Sequence, residues 1–145
     1  MTVYRRILLV VDLTEESLGL GRRAAALATA LGAEIELLHV VEFVPVEPMG
    51  ETLMPAVPIE AELLERAQQR LTALAAQLGL PGAYCKVENG NVKSEIVRVA
   101  RERHSDLIML GSRERHGLSI LVNFTEDTVL HAAPCDVLAM RVGRP

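Results

Sequence analysis

Apolar residues fall along this chain in two alternating patterns. Short unbroken runs, Ile7 to Val11 and Leu107 to Leu110, suit strands buried on both faces. Between such runs lie longer stretches with apolar residues three and four apart, the period of a helix packed on one side. Arg6 to Val11 reads as a first strand that exits through Asp12-Leu-Thr-Glu-Glu16. Thr14 is the expected N-cap, with Glu15 and Glu16 complementing the helix dipole. A helix then runs from about Glu15 to Leu31 through Leu20, Ala24, Leu27, Ala28 and Leu31, and Gly32 terminates it. Glu34 to Val41 forms a second strand.

The stretch from Glu42 to Pro58 holds Pro45, Pro48, Pro55 and Pro58, a density that neither a helix interior nor a central strand tolerates. It reads as a long loop, either a lid or contact surface or a simple linker. Ile59 to Leu78 is the strongest helix, with Leu63, Ala67, Leu71, Leu74 and Leu78 on one stripe and Gly79 closing it. A short strand at Ala83 to Glu88, a turn at Asn89-Gly90-Asn91 and a helix over Val92 to Arg103 follow. A central strand at Asp106 to Leu110 is expected to end in a small-residue turn at Gly111-Ser112. A helix near Thr125 to His131 and a fifth strand at Asp136 to Met140 complete the chain.

Strands joined by crossovers of ten or more residues pair in parallel, with right-handed connections. The expected architecture is therefore α/β: one domain over residues 1–145, a five-stranded, mainly parallel sheet with helices on both faces, flavodoxin-like in topology. In such sheets a ligand site lies at the carboxyl ends of the strands, where the strand order reverses. That directs attention to Asp12 and to Gly111-Ser112.

Composition narrows the function. Fifteen basic against 19 acidic residues leave a formal charge of −4 without a basic block, and aromatic residues make up 3%. Nucleic acid is not an expected partner, since neither phosphate pairing nor base stacking is provided for. No apolar span approaches the length needed to cross a membrane, and Ile7 to Val11 is too short for an export signal. A cytoplasmic location is expected. Cys85 and Cys135 stand alone and read as buried, reduced thiols. His39, His104, His116 and His131 lack ligand spacing, so no metal site is expected. Ser112 lacks the surroundings of a nucleophile, and no general acid–base pair can be named.

The blocks RILLVVDLTEES, LLHVVE and SEIVRVARERHSDLIMLGSRERHGLSILVNFTEDTVLHAAPCDVLAMR resemble the universal stress protein family over nearly the whole chain. The resemblance implies an adenine nucleotide alpha-hydrolase-like fold and a role in stress survival. Nucleotide-binding members carry G-x2-G-x9-G-[S/T], with an Asp after the first strand. Here Gly111 matches the first glycine and Thr125 the final hydroxyl, whereas Glu114 and Phe124 occupy the other two glycine positions. Asp12 matches the acidic residue. The departure resembles the universal stress protein A branch, which implies protein contacts rather than turnover and no bound cofactor.

Physical chemistry points the same way. Glycines in a phosphate loop permit positive φ and bring N–H groups to the anion, and Glu114 and Phe124 remove that freedom. The alternatives are an ATP- or AMP-binding protein with slow hydrolysis, contacting the nucleotide through Asp12, Val41, Gly111, Ser112 and Thr125, or a chaperone-like adaptor. Asp12 itself reads either as a ribose contact or as a cap for the first helix or its loop. The apolar last strand, Asp136 to Arg141, is expected at the sheet edge, where it would pair with its twin across a two-fold axis to make a homodimer.

Overall fold

The structure is a computed structural model that describes residues 3–42, 56–113, 129 and 131–142. Its five strands form one sheet in which every pair is parallel. The strands are β1 (Arg6–Val10), β2 (Glu34–Val41), β3 (Cys85–Asn89), β4 (Leu107–Arg113) and β5 (Asp136–Val142), in the order β3-β2-β1-β4-β5. The sheet is thus parallel throughout these strands. Among the described residues, the helices α1 (Ser17–Leu31), α2 (Ala56–Gln77) and α3 (Val92–Glu102) lie between strands.

Alternation along the strands divides the core in two. Ile7, Leu9, Leu37, Leu107 and Met109 pack with Leu20, Ala24 and Ala28 of α1 and with Ala67, Leu71 and Leu74 of α2. On the opposite face Leu8, Leu38, Ile108 and Leu110 pack with Ile96, Val99 and Ala100 of α3 and with Val129. Helices therefore cover both faces. The expected apolar stripes form the interface except at Leu63, which is exposed near the start of α2.

Several boundaries differ from the sequence expectation. Thr14 is not the N-cap: α1 starts at Ser17, Glu16 precedes it in a right-handed conformation with no side-chain cap bond, and no acidic residue lies in the first turn. The Thr14 hydroxyl is instead engaged by Asp12 and Glu16. The helix α2 begins at Ala56, two residues before Pro58, because proline costs little in a first turn whose N–H groups have no helical acceptor. Of the proline-rich stretch, residues 43–55 lie outside the described residues. Gly32 ends α1 as expected, at φ 67°, with its N–H directed to Ala28 and Thr29 carbonyls.

The largest difference concerns Gly111 and Ser112. They do not turn. The strand β4 continues to Arg113, with Gly111, Ser112 and Arg113 in register with Met140, Arg141 and Val142, and β5 is correspondingly longer than expected. A glycine breaks a strand only where no partner supplies ladder bonds, and here the edge strand supplies them. Near the expected helix at 125–131, Val129, His131 and Ala132 are helical, while Thr125, Glu126 and Asp127 lie outside the described residues.

A buried ion pair joins the sheet to its cover. Glu36, only 5% exposed in the middle of β2, pairs with Arg103 at the end of α3, whose guanidinium stacks 3.8 Å from the centre of the Tyr84 ring. The carboxylate beside it raises the Arg103 pKa above its already high ordinary value.

Candidate functional site

Strand order reverses between β1 and β4, whose last paired residues are Val10 and Leu110. Beyond that pair the two strands part. The chain after β1 turns away at Asp12, while β4 runs on beside β5 alone. Such a reversal is where open α/β sheets place a ligand crevice.

Three of the expected contacts meet on the rim of adjacent strands: Asp12 after β1, Val41 at the end of β2, and Gly111 within β4. Val41 is half-buried, and its carbonyl accepts the Gly90 N–H at 3.0 Å. Ser112 follows Gly111 in the ladder, opposite Arg141. Glu114, Phe124 and Thr125 lie outside the described residues.

Asp12 is turned toward its own loop. Its Oδ1 accepts the Thr14 N–H at 3.1 Å and the Ser17 hydroxyl at 3.1 Å, and the Thr14 hydroxyl lies 2.7 Å away. That hydroxyl is also 2.8 Å from Glu16 Oε2, so its single hydrogen serves one carboxylate at a time. Of the two readings of Asp12, the geometry displays the loop cap.

Further contacts hold the same loop from a distance, and the sequence offered no sign of them. Leu13, buried and at φ 58°, adopts a left-handed conformation that costs a non-glycine residue about 1 kcal/mol. Its carbonyl accepts a hydrogen bond from the Arg70 guanidinium of α2, and the Val11 carbonyl accepts one at 2.8 Å from the protonated Nδ1 of His39. Partners separated by 57 and 28 residues leave no local spacing to read. Only the Thr14 N–H, two residues after Asp12, belongs to a recognisable pattern, an aspartate that orders the turn after it.

Other candidate groups are spread out. Cys85 and Cys135 are free and half-buried rather than buried, and desolvation pushes both thiol pKa values up. Among the described residues no three metal-ligating side chains gather. A surface groove of about 440 Å³ runs along α3 beside Lys93, Val97, Arg101 and Ala132, and none of the crevice residues lines it. No described helix is long and apolar enough to cross a membrane.

A parallel α/β domain whose strand order reverses between β1 and β4 is the scaffold on which many nucleotide-binding and signalling proteins are built. The sequence narrows that class: the profile of the universal stress protein family matches residues 3–141, and the chain belongs to this family. It is 34% identical over 143 residues to universal stress protein A homolog 2 of Coxiella burnetii, covering 98% of each chain. Among solved structures, universal stress protein UspA from Lactobacillus plantarum superimposes with a TM-score of 0.70 at 25% identity, over 95% of this chain and 98% of that one. A universal stress protein in complex with cAMP shares the fold, with a TM-score of 0.71 at 20% identity over 98% and 100% of the two chains.

Proposed function

We propose that this protein is a cytoplasmic stress-response protein that acts through protein contacts, as a homodimer paired along β5, without tight adenine-nucleotide binding and without enzymatic turnover. One observation carries the reading: the continuation of the β4–β5 ladder through Gly111, Ser112 and Arg113. Backbone held in a ladder is extended, whereas a phosphate cradle needs successive N–H groups converging in a turn. The same continuation lengthens the edge strand to seven residues and leaves Leu138 38% exposed on it. An apolar edge of that length favours pairing with another strand.

A second reading is adenine-nucleotide binding with slow hydrolysis. The strand reversal between β1 and β4 is its support, together with the cAMP complex of a protein of the same fold. Its contacts would be Asp12, Val41, Gly111, Ser112 and Thr125. Absorbance at 260 nm of the purified protein and its thermal shift with millimolar ATP and Mg²⁺ decide between the two. The preferred reading expects neither copurified nucleotide nor a shift, and partial binding after Glu114→Gly combined with Phe124→Gly. Stoichiometric ATP or AMP in the wild type overturns it. Sedimentation at micromolar concentration is expected to give a dimer that Leu138→Lys converts to monomer; a monomeric wild type refutes the β5 pairing.

A further inference from the structure

The sheet has a second edge, β3, and one side chain closes part of it. Leu37 donates its N–H to the Tyr84 carbonyl at 2.8 Å and is in register with Cys85. Backbone groups alternate in direction along a strand, so the Cys85 carbonyl and the Val87 N–H point outward, away from β2. Both are taken by Gln68 of α2, whose Nε2 donates to the Cys85 carbonyl at 3.0 Å and whose Oε1 accepts the Val87 N–H at 3.1 Å.

This is the bonding of a missing strand. In a parallel ladder a neighbouring residue brackets one residue of its partner, donating to the carbonyl before it and accepting from the N–H after it. The Gln68 amide brackets Lys86 in that manner, because a carboxamide carries the same donor and acceptor as a peptide group. Lys86 itself is exposed, placing a charge on the same edge. Charged side chains and covering elements are the usual means by which sheet edges avoid adding strands.

We propose that Gln68 is an assembly-limiting residue: its amide occupies the β3 edge as a strand residue would, and so denies that edge to a second copy of the chain. The role is independent of how β5 pairs. If both edges were open, β3 of one copy could add to β5 of the next, a head-to-tail contact that repeats without closing. With β3 capped, strand addition stops at a finite assembly.

The test uses the full chain with Gln68→Val. The Val87 amide is expected to exchange with deuterium roughly fivefold faster or more, the loss of about one net hydrogen bond. Weight-average mass by light scattering is expected to climb with concentration above the wild-type value. In contrast, Gln68→Glu, which retains an acceptor for Val87 and puts a charge on the edge, is expected to keep the wild-type mass. Unchanged Val87 exchange in Gln68→Val overturns the cap. Faster exchange with wild-type mass at every concentration overturns the limit on assembly and leaves Gln68 as an anchor for α2. Should Gln68→Val not fold, Gln68→Asn is read by the same two criteria, since its amide is one methylene too short to span both groups. The wild-type mass alone decides the β5 reading, so the two ideas fail separately.

Discussion

Replacing Asp12 by alanine separates a loop cap from a ligand contact. The substitution removes the acceptor for the Thr14 N–H and the Ser17 hydroxyl, at 3.1 Å each, and one of two acceptors for the Thr14 hydroxyl. Two of these groups have other outlets: the Thr14 N–H also points to Ser17 Oγ at 3.1 Å, and its hydroxyl can serve Glu16. Ser17 is buried, so its hydroxyl loses most. At about 0.5–1.5 kcal/mol for a net hydrogen bond, and with water reaching the exposed carboxylate site, the expected loss is about 1–2 kcal/mol. For a domain of this size that is a fall in Tm of about 3–7 °C. Asp12→Asn keeps the Oδ1 acceptor and is expected to cost less than half as much. Urea titration and thermal melts of the three proteins, without nucleotide, provide the comparison. Asp12→Ala within about 0.3 kcal/mol of the wild type would refute the reasoning. So would Asp12→Asn as damaging as Asp12→Ala, since negative charge rather than acceptor geometry would then be what the loop needs.

Two other expectations test the packing. Arg103→Leu leaves the buried Glu36 carboxylate without its partner, a change that costs about 3–5 kcal/mol for a fully buried pair. Since a third of the Arg103 side chain is exposed, solvent screening reduces the expected loss to about 2–3 kcal/mol by urea titration, and adding Glu36→Leu should recover most of it. The second expectation concerns pH. Hydrogen bonds from Arg98 to both Glu95 oxygens, at 2.7 and 3.0 Å, hold the Glu95 pKa below its ordinary 4.5. The unfolded chain therefore binds the proton first on acidification. The associated stability is fully present above pH 4.5 and is lost as pH falls through the folded-state value. With Arg98 40% exposed, the amount is about 0.5–1 kcal/mol. Between pH 5 and 3, Arg98→Gln should consequently lose less stability than the wild type by about that amount, and equal acid sensitivity would remove Glu95 from the account.

How far the sequence discloses this fold depends on the distance over which each feature is decided. Ile7 to Val11 and Glu34 to Val41 are legible because burial on both faces demands a continuous apolar run, and Gly32 because a left-handed helix end excludes most side chains. The start of α1 is less legible: Thr14, Glu15 and Glu16 carry the composition of a helix N-terminus, yet Asp12 and Ser17 draw Thr14 into a turn. The extension of β4 past Gly111 is illegible locally. It is decided by Met140, Arg141 and Val142, about thirty residues on, which provide ladder bonds that outweigh glycine's preference for turns. Arg70 on the Leu13 carbonyl, His39 on the Val11 carbonyl and Gln68 on β3 are likewise contacts between distant segments.

The same division applies to the candidate site. Its position follows from strand order alone, because any sheet that reverses between β1 and β4 leaves a gap beyond Val10 and Leu110. What the gap can hold is decided side chain by side chain. A triphosphate stripped of water must find clustered donors, and each phosphate group left poorly paired costs about 1–3 kcal/mol, tenfold or so in affinity. Under the proposed reading, Glu114 and Phe124 stand where the resemblance implies glycine in nucleotide-binding members. The backbone at Gly111 and Ser112 is extended in the ladder with β5 rather than turned, and the Asp12 carboxylate faces Thr14 and Ser17. On the proposed reading the gap is thus a consequence of topology, while the Asp12 carboxylate holds the β1–α1 loop and the extended Gly111–Ser112 backbone belongs to the β4–β5 edge.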